Sequence, residues 1–152
     1  MRRGLANKRN EEDFRLKKAE LEKLKEMADK QEIDLLFEDE SSFTLTPSIP
    51  YAWQKERITI PSSKSKRINV LGFLGRNGIL RGYRVEGSLN GNLFLEILRK
   101  IAVTVTKKTV IVLDNSPVHT CKLIREEMER LEKEFSIEFF FLPPYSPELN
   151  DI

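Results

Sequence analysis

The stretch TVIVLDNSPVHT, from Thr109 to Thr120, combines a strongly strand-forming run with an abrupt break. Its first half is strand-forming and apolar, and it stops abruptly at Asp114. The next three residues, NSP, extend a strand poorly. A carboxylate at the tip of a strand can form a turn, cap a helix or bind a metal. Evidence from the rest of the sequence is needed to distinguish between these roles.

The composition is that of a single soluble globular domain. The chain has 152 residues, of which 39% are hydrophobic and 33% charged. Its net charge of +2 is too small to indicate a nucleic-acid partner, so any such role must rest on where the charges lie. A single cysteine, Cys121, excludes an internal disulfide and favours a reducing, cytoplasmic location. No apolar run approaches the roughly 18 residues of a membrane span, and no secretory signal is visible.

The hydrophobic patterns predict an α/β fold with a mixed central sheet flanked by helices. Residues 11–30 have the periodicity of a surface helix, and Ile33–Phe37 that of a buried strand ending in Glu38–Glu40. Asn77-Gly78 joins two further strands as a hairpin. A helix over about Asn90–Ala102, the quoted strand, another helix and a last strand follow. This order implies right-handed parallel crossovers, with the hairpin as an antiparallel edge.

Two of the predicted strands end on acids, the first at Asp39 and the fourth at Asp114. In open α/β sheets, functional groups gather beyond the carboxyl ends of the strands. If these two strands are parallel neighbours, their aspartates converge and repel each other unless a proton or a cation lies between them. Mg²⁺, or Mn²⁺ in its place, suits such a pair. The alternatives remain open: a turn or helix cap for Asp114, and a solvated acidic loop for Asp39.

Four motifs, in this order, resemble those of insertion-sequence transposases related to the mariner group, which are members of the DDE superfamily. They are LLFEDESSF, RINVLGFL, VIVLDNSPVH and FFLPPYSPELN. The resemblance covers about residues 30–152 and implies a ribonuclease-H-like fold that performs Mg²⁺-dependent DNA cleavage and strand transfer in transposition. Position by position, it makes Asp39 the first catalytic aspartate and metal ligand, and Asp114 the second.

The chain departs from the family pattern near both ends. The family's third acid, usually Glu, follows SPxLNPI immediately, whereas SPELNDI ends at Ile152. Asp151 stands where the family commonly has proline, and Glu148 lies in the turn, so neither occupies the family position. Thirty residues of mixed-charge helix cannot hold the family's N-terminal helix-turn-helix units. We therefore predict an N-terminal helix over 1–30 and an incomplete DDE-type catalytic domain over 31–152.

The long loop after the first strand carries the candidate DNA contacts. An aromatic ring there suits base stacking, and the cations suit phosphates, so that binding should weaken as salt rises. These residues are Trp53, Lys55, Arg57, Lys64, Lys66 and Arg67. An ordinary solvated loop is the alternative. The expected partner is double-stranded DNA, both at the ends of the element and at the target site. The protein partner would be a second copy of this chain, in a homodimer, or a full-length transposase.

Two residues after the quoted strand are predicted to support the site. Asn115 would orient Asp114 or the scissile phosphate, or would be only a turn residue. His119, the single histidine, is common at this position in the family and near its active site; the alternative is a loop histidine that makes one backbone hydrogen bond.

Two rival functions remain open from the sequence. One is a catalytically inactive transposase remnant that only binds DNA or a transposase partner. The other is a phosphotransfer enzyme with an aspartyl nucleophile, because VIVLDNS resembles a strand-tip Asp motif. Such enzymes typically carry a second Asp two residues on, where this chain has Ser116.

Overall fold

The computed structural model describes residues 9–44, 55 and 67–152. The elements, in chain order, are helix α1 (Glu11–Asp29), strands β1 (Asp34–Phe43), β2 (Ile68–Gly75) and β3 (Leu80–Glu86), helix α2 (Gly91–Ala102), strand β4 (Thr109–Leu113), the single-turn helix α3 (Pro117–Thr120), helix α4 (Lys122–Glu134), strand β5 (Ile137–Phe141) and a 3₁₀ turn (Pro147–Leu149). Across this described part of the chain, no helix combines the length and the apolar character that crossing a membrane requires.

The five strands form one mixed sheet in the order β3-β2-β1-β4-β5. The strands β1, β4 and β5 are parallel neighbours. The β2–β3 hairpin adds to β1 as an antiparallel edge. The predicted α/β fold, with a mixed sheet flanked by helices, is confirmed.

Local signals in the sequence explain the hairpin and the helix that follows it. Gly78 adopts a φ of 80°, which closes the β2–β3 turn at the predicted Asn-Gly pair. Asn90 caps α2 as predicted, because its side chain accepts a hydrogen bond of 3.0 Å from the backbone N–H of Leu93.

The sheet separates two hydrophobic clusters. One lies under α2 and α4 and includes Phe94, Ile111 and Met128. The other lies under α1, whose Leu21 is fully buried against the opposite face. Side chains of β1 alternate between these clusters, as successive residues of a strand must. The same alternation carries on into the acidic residues of β1.

The prediction that β1 ends at its acidic residues is wrong. The strand continues to Phe43, because β2 remains paired with it as far as Phe43 opposite Ile68. What ends before the acids is the parallel pairing with β4, whose last pair is Phe37 and Val112. The acids therefore lie within β1 but beyond the end of β4, where β1 has no pairing partner on that side among the described residues.

Candidate active site

Asp39 and Asp114, the two aspartates predicted from strand tips, line one groove of about 540 Å³. They reach the same place because β1 and β4 are adjacent and parallel. The opposite wall is the proline-rich segment that follows β5, residues 142–147, together with Asn150. Functional groups of open α/β sheets gather at this kind of edge.

Two asparagine side chains hold that wall in place. Asn115 donates a hydrogen bond from Nδ2 to the carbonyl of Leu142, which ties the end of β4 to the end of β5. Asn150 donates from Nδ2 to the carbonyl of Glu38 at 2.9 Å, next to Asp39. Within the wall, Tyr145 is 47% exposed and has a φ of 60°, a strained value for a residue with a side chain.

Asp114 uses one carboxylate oxygen for local structure. Its Oδ1 accepts hydrogen bonds from the backbone N–H of Ser116 at 2.8 Å and from Nδ1 of His119 at 2.9 Å. The turn-forming alternative is thus real, but it involves Oδ1 alone. The hydrogen bond from His119 lowers the pKa of Asp114 below its ordinary value, with help from Ser116 and against the effect of burial. Asp114 therefore lines the groove as an anion.

His119 is buried between Asp114 and the core, with 2% of its surface exposed. Its ring lies 4.5 Å from the ring of Phe94, and its Nε2 is 3.5 Å from Oε2 of Glu38. Burial lowers its pKa, but the hydrogen bond to Asp114, the facing carboxyl group of Glu38 and the charge of Asp114 together raise it above the ordinary value. A loop histidine with one backbone bond does not describe this geometry.

Glu38 is the residue at this site that our reading of the sequence missed. It is 1% exposed, and burial raises its pKa to about 8. With His119 and Asp114 it lines a small cavity of about 160 Å³ beside the groove. The signal was present in the sequence: Glu38 follows Leu36 by two residues and so projects to the same, buried face of β1.

The acids near the end of the chain do not contribute to the groove. Glu148 forms an ion pair with Arg9, while Asp151 lies 2.8 Å from Lys25 and 3.4 Å from Arg76. Within residues 9–44, 55 and 67–152, no group of three or more His, Cys, Asp or Glu side chains is arranged to hold a metal ion.

The donor set of the groove nevertheless fits a hard divalent cation. Asp39 and Asp114 both supply carboxylate oxygens to it. Mg²⁺ commonly binds proteins through one or two carboxylates and completes its shell with water and substrate phosphate. The residues present therefore match a two-carboxylate site that substrate would complete.

Most of the predicted DNA contacts lie outside the described residues: Trp53, Arg57, Lys64 and Lys66. Lys55 is described and exposed. Arg67 lies immediately before β2, and its guanidinium donates hydrogen bonds to Ser42 at 2.6 Å and to Asn69 at 3.0 Å. It is not among the residues that line the groove.

Comparison with known proteins gives a family and a fold. The sequence profile of the DDE superfamily endonucleases matches residues 34–152. Among curated protein sequences, none is similar enough to this chain to count as a match.

Solved structures with the same fold include several of Mos1 transposase. The Mos1 mariner paired-end complex with Mn aligns with a TM-score of 0.58 at 18% identity, over 93% of this chain and 46% of that one. The catalytic domain of Mos1 mariner transposase aligns with a TM-score of 0.56 at 16% identity, over 93% of this chain and 66% of that one. A simian T-cell lymphotropic virus intasome, in complex with the PP2A regulatory subunit B56 gamma, aligns with a TM-score of 0.51 at 12% identity, over 78% of this chain and 34% of that one. This chain thus spans less than half the length of the transposase in the paired-end complex.

Proposed function

Because the chain belongs to the DDE superfamily endonuclease family, we propose that it is a transposase catalytic domain that cleaves DNA and transfers strands with divalent metal. One observation supports this most directly: Asp39 and Asp114 come from adjacent parallel strands and line a single groove. The fold that it shares with Mos1 transposase structures is consistent with this function. The division into a helix over 1–30 and a catalytic domain over 31–152 remains a prediction.

The roles of the groove residues follow from their surroundings. Asp114, whose Oδ1 is already engaged by Ser116 and His119, would offer its other oxygen to the cation. Asp39, exposed on β1, would supply the second carboxylate. When bound, Mg²⁺ or Mn²⁺ makes an attacking hydroxyl more acidic and stabilises the charge on the leaving 3′-oxygen. The proline-rich wall would limit the directions from which a DNA strand can enter.

Double-stranded DNA is the partner that we propose. A Mos1 transposase paired-end complex that shares this fold contains the left transposon end. On this chain, the segment that carries Trp53, Lys64 and Lys66 would contact the phosphate backbone and stack on bases. Asn115 would act indirectly in this account, by holding the groove wall against β4. A homodimer or a full-length transposase remains the proposed protein partner.

Cleavage of supercoiled plasmid in Mn²⁺ tests the proposed function. The chain should be assayed alone and with a helical extension that begins with glutamate directly after Ile152, which supplies the family's third acid. Asp39→Asn and Asp114→Asn should each abolish cleavage by the extended chain. Asp34→Asn is the matched control, because Asp34 lies at the other end of β1 and pairs with Lys107 at 3.1 Å; it should leave cleavage unchanged.

The same assay separates the catalytic proposal from the inactive-remnant alternative. Binding of DNA without cleavage, by both the chain and its extended form, would support a remnant that only binds DNA. Cleavage that survives Asp39→Asn or Asp114→Asn would show that another site is responsible.

A further inference from the structure

Glu38 is a buried acid without a role in the groove chemistry described above. It is 1% exposed, although its neighbours Asp39 and Glu40 are exposed. Neither its Oε1 nor the facing Nε2 of His119 has a hydrogen-bond partner among the described residues, and its Oε2 lies 3.5 Å from that Nε2. A buried carboxyl group with an unsatisfied oxygen is unfavourable for folding. A role of Glu38 other than stabilising the fold is therefore to be sought in the contacts that its carboxyl group makes.

His119 connects Glu38 to the groove. Its Nδ1 lies 2.9 Å from Oδ1 and 3.3 Å from the carbonyl oxygen of Asp114. Both of these atoms can only accept a hydrogen bond, so Nδ1 carries a proton and Nε2 faces Glu38. The fully buried ring of Phe94, 4.5 Å away, packs on the imidazole and restricts its rotation.

The chain of contacts ends on a groove carboxylate. Among the described residues, the hydrogen bonds to Asp114 side-chain oxygens are both to Oδ1, from Ser116 and His119. An engaged Oδ1 fixes the plane of the carboxylate and so the direction of Oδ2. Partners of this kind, which orient a metal-binding side chain, typically change metal affinity by about 10–100-fold.

We propose that Glu38 and His119 are positioning residues: Glu38 holds the imidazole in one orientation, and His119 holds the Asp114 carboxylate with its second oxygen available to the groove. The inference rests on the metal-binding function proposed for that groove. Glu38 and His119 themselves do not touch the metal or the DNA.

The ring nitrogens of His119 give the first test. The chain has one histidine, so its ¹⁵N ring spectrum reports a single residue. We expect a protonated Nδ1 whose proton exchanges slowly with water. An unprotonated Nδ1 in the wild-type protein would overturn the proposal, because His119 could then not donate to Asp114.

Two substitutions of Glu38 give the second test. Glu38→Met fills the space without a polar group and should leave stability equal or higher, because it removes an unsatisfied buried carboxyl. It should nevertheless change the His119 ring signals and weaken Mn²⁺ binding by about 10-fold. Glu38→Gln keeps a polar group opposite Nε2 of His119, so its Mn²⁺ affinity should remain within about 3-fold of the wild-type affinity. The proposal would be overturned if Glu38→Met kept both the Mn²⁺ affinity and the His119 ring signals of wild type. It would also be overturned if Glu38→Met were less stable than wild type but bound Mn²⁺ with the same affinity.

A third variant separates this proposal from the function on which it rests. Asp39→Asn should reduce Mn²⁺ affinity while leaving the His119 ring signals as they are. If Asp39→Asn binds Mn²⁺ like wild type, the proposed metal site is wrong, whereas the ring spectra still decide whether Glu38 orients His119. If Glu38→Met does not fold, the wild-type spectrum and Glu38→Gln decide: a protonated Nδ1 with near-wild-type Mn²⁺ affinity in Glu38→Gln supports the proposal, and an unprotonated Nδ1 in wild type overturns it.

Discussion

Phe37 and Val112 form the last parallel pair between β1 and β4, and each strand reaches an aspartate two residues later. Because the two segments are aligned at this pair, the equal offset places Asp39 beside the end of β4, where Asp114 follows. Side chains two residues apart in a strand project to the same side, so Asp39 lies on the face of β1 that Phe37 occupies. The register of one strand pair thus brings together two residues that are distant in sequence. A slip of one residue would turn Asp39 to the opposite face of the sheet.

Packing of α1 against the sheet gives a stability prediction. Leu21 is fully buried against the cluster that includes Phe37 and Phe140, whereas Leu16 on the same helix is 66% exposed. Leu21→Ala should lower the free energy of unfolding by about 2–5 kcal/mol. Leu16→Ala, the matched control, should change it by less than about 0.5 kcal/mol. Urea denaturation measures both; similar values for the two variants would contradict the docking of α1 through Leu21.

Burial of Glu38 gives a prediction about pH. Its pKa is raised to about 8 in the folded protein, from an ordinary value of 4.5. Between these values the unfolded chain loses the proton while the folded protein keeps it, so the free energy of unfolding falls as pH rises and stops falling above about 8. The raised pKa of His119 acts in the same direction. Its contribution to the free energy of unfolding is complete below pH 6.5, and it is lost as the pH rises through the higher pKa that His119 has in the folded protein.

Glu38→Gln should remove most of this dependence. We expect the wild-type protein to lose on the order of a few kcal/mol between pH 5 and pH 8 in metal-free buffer, and the variant to lose clearly less. Glu26→Gln, a change at an exposed position of α1, should keep the wild-type slope. Denaturation curves at several pH values measure this. A wild-type slope in Glu38→Gln would show that Glu38 is not the group responsible.

The sequence predicts the fold well because the signals for it are local. Alternation, the Asn-Gly turn and the Asn90 cap are each encoded within a few residues, and each forms as expected. The predicted end of β1 is wrong because the acidic half of this strand pairs with β2, a segment that is distant in sequence.

The candidate site was only partly predictable for the same reason. Asp39 and Asp114 follow recognisable patterns, so they could be proposed from the sequence. The contact between His119 and Glu38 joins residues of α3 and β1, two elements that are distant in sequence. Likewise, nothing local indicates that Glu148 pairs with Arg9 and is held away from the groove.

The cationic segment between β1 and β2 gives a prediction about DNA binding. Replacing Lys64 and Lys66 by alanine should weaken binding to DNA of any sequence and reduce the slope of log affinity against log salt by about 1 for each lost phosphate contact. Lys100→Ala with Lys133→Ala is the control, because Lys100 and Lys133 lie on the helices α2 and α4. Fluorescence anisotropy at several salt concentrations measures the slope. Equal slopes for the two double variants would place DNA binding elsewhere.

In the proposed function, Asp39 and Asp114 share one divalent cation. Paramagnetic broadening of backbone amide signals by Mn²⁺ tests this directly, because it reports where the ion lies even when binding is weak. We predict broadening centred on groove residues such as Asn115 and Tyr145, lost equally in Asp39→Asn and Asp114→Asn and retained in Asp34→Asn. Broadening centred away from the groove, or retained in either groove variant, would contradict the claim.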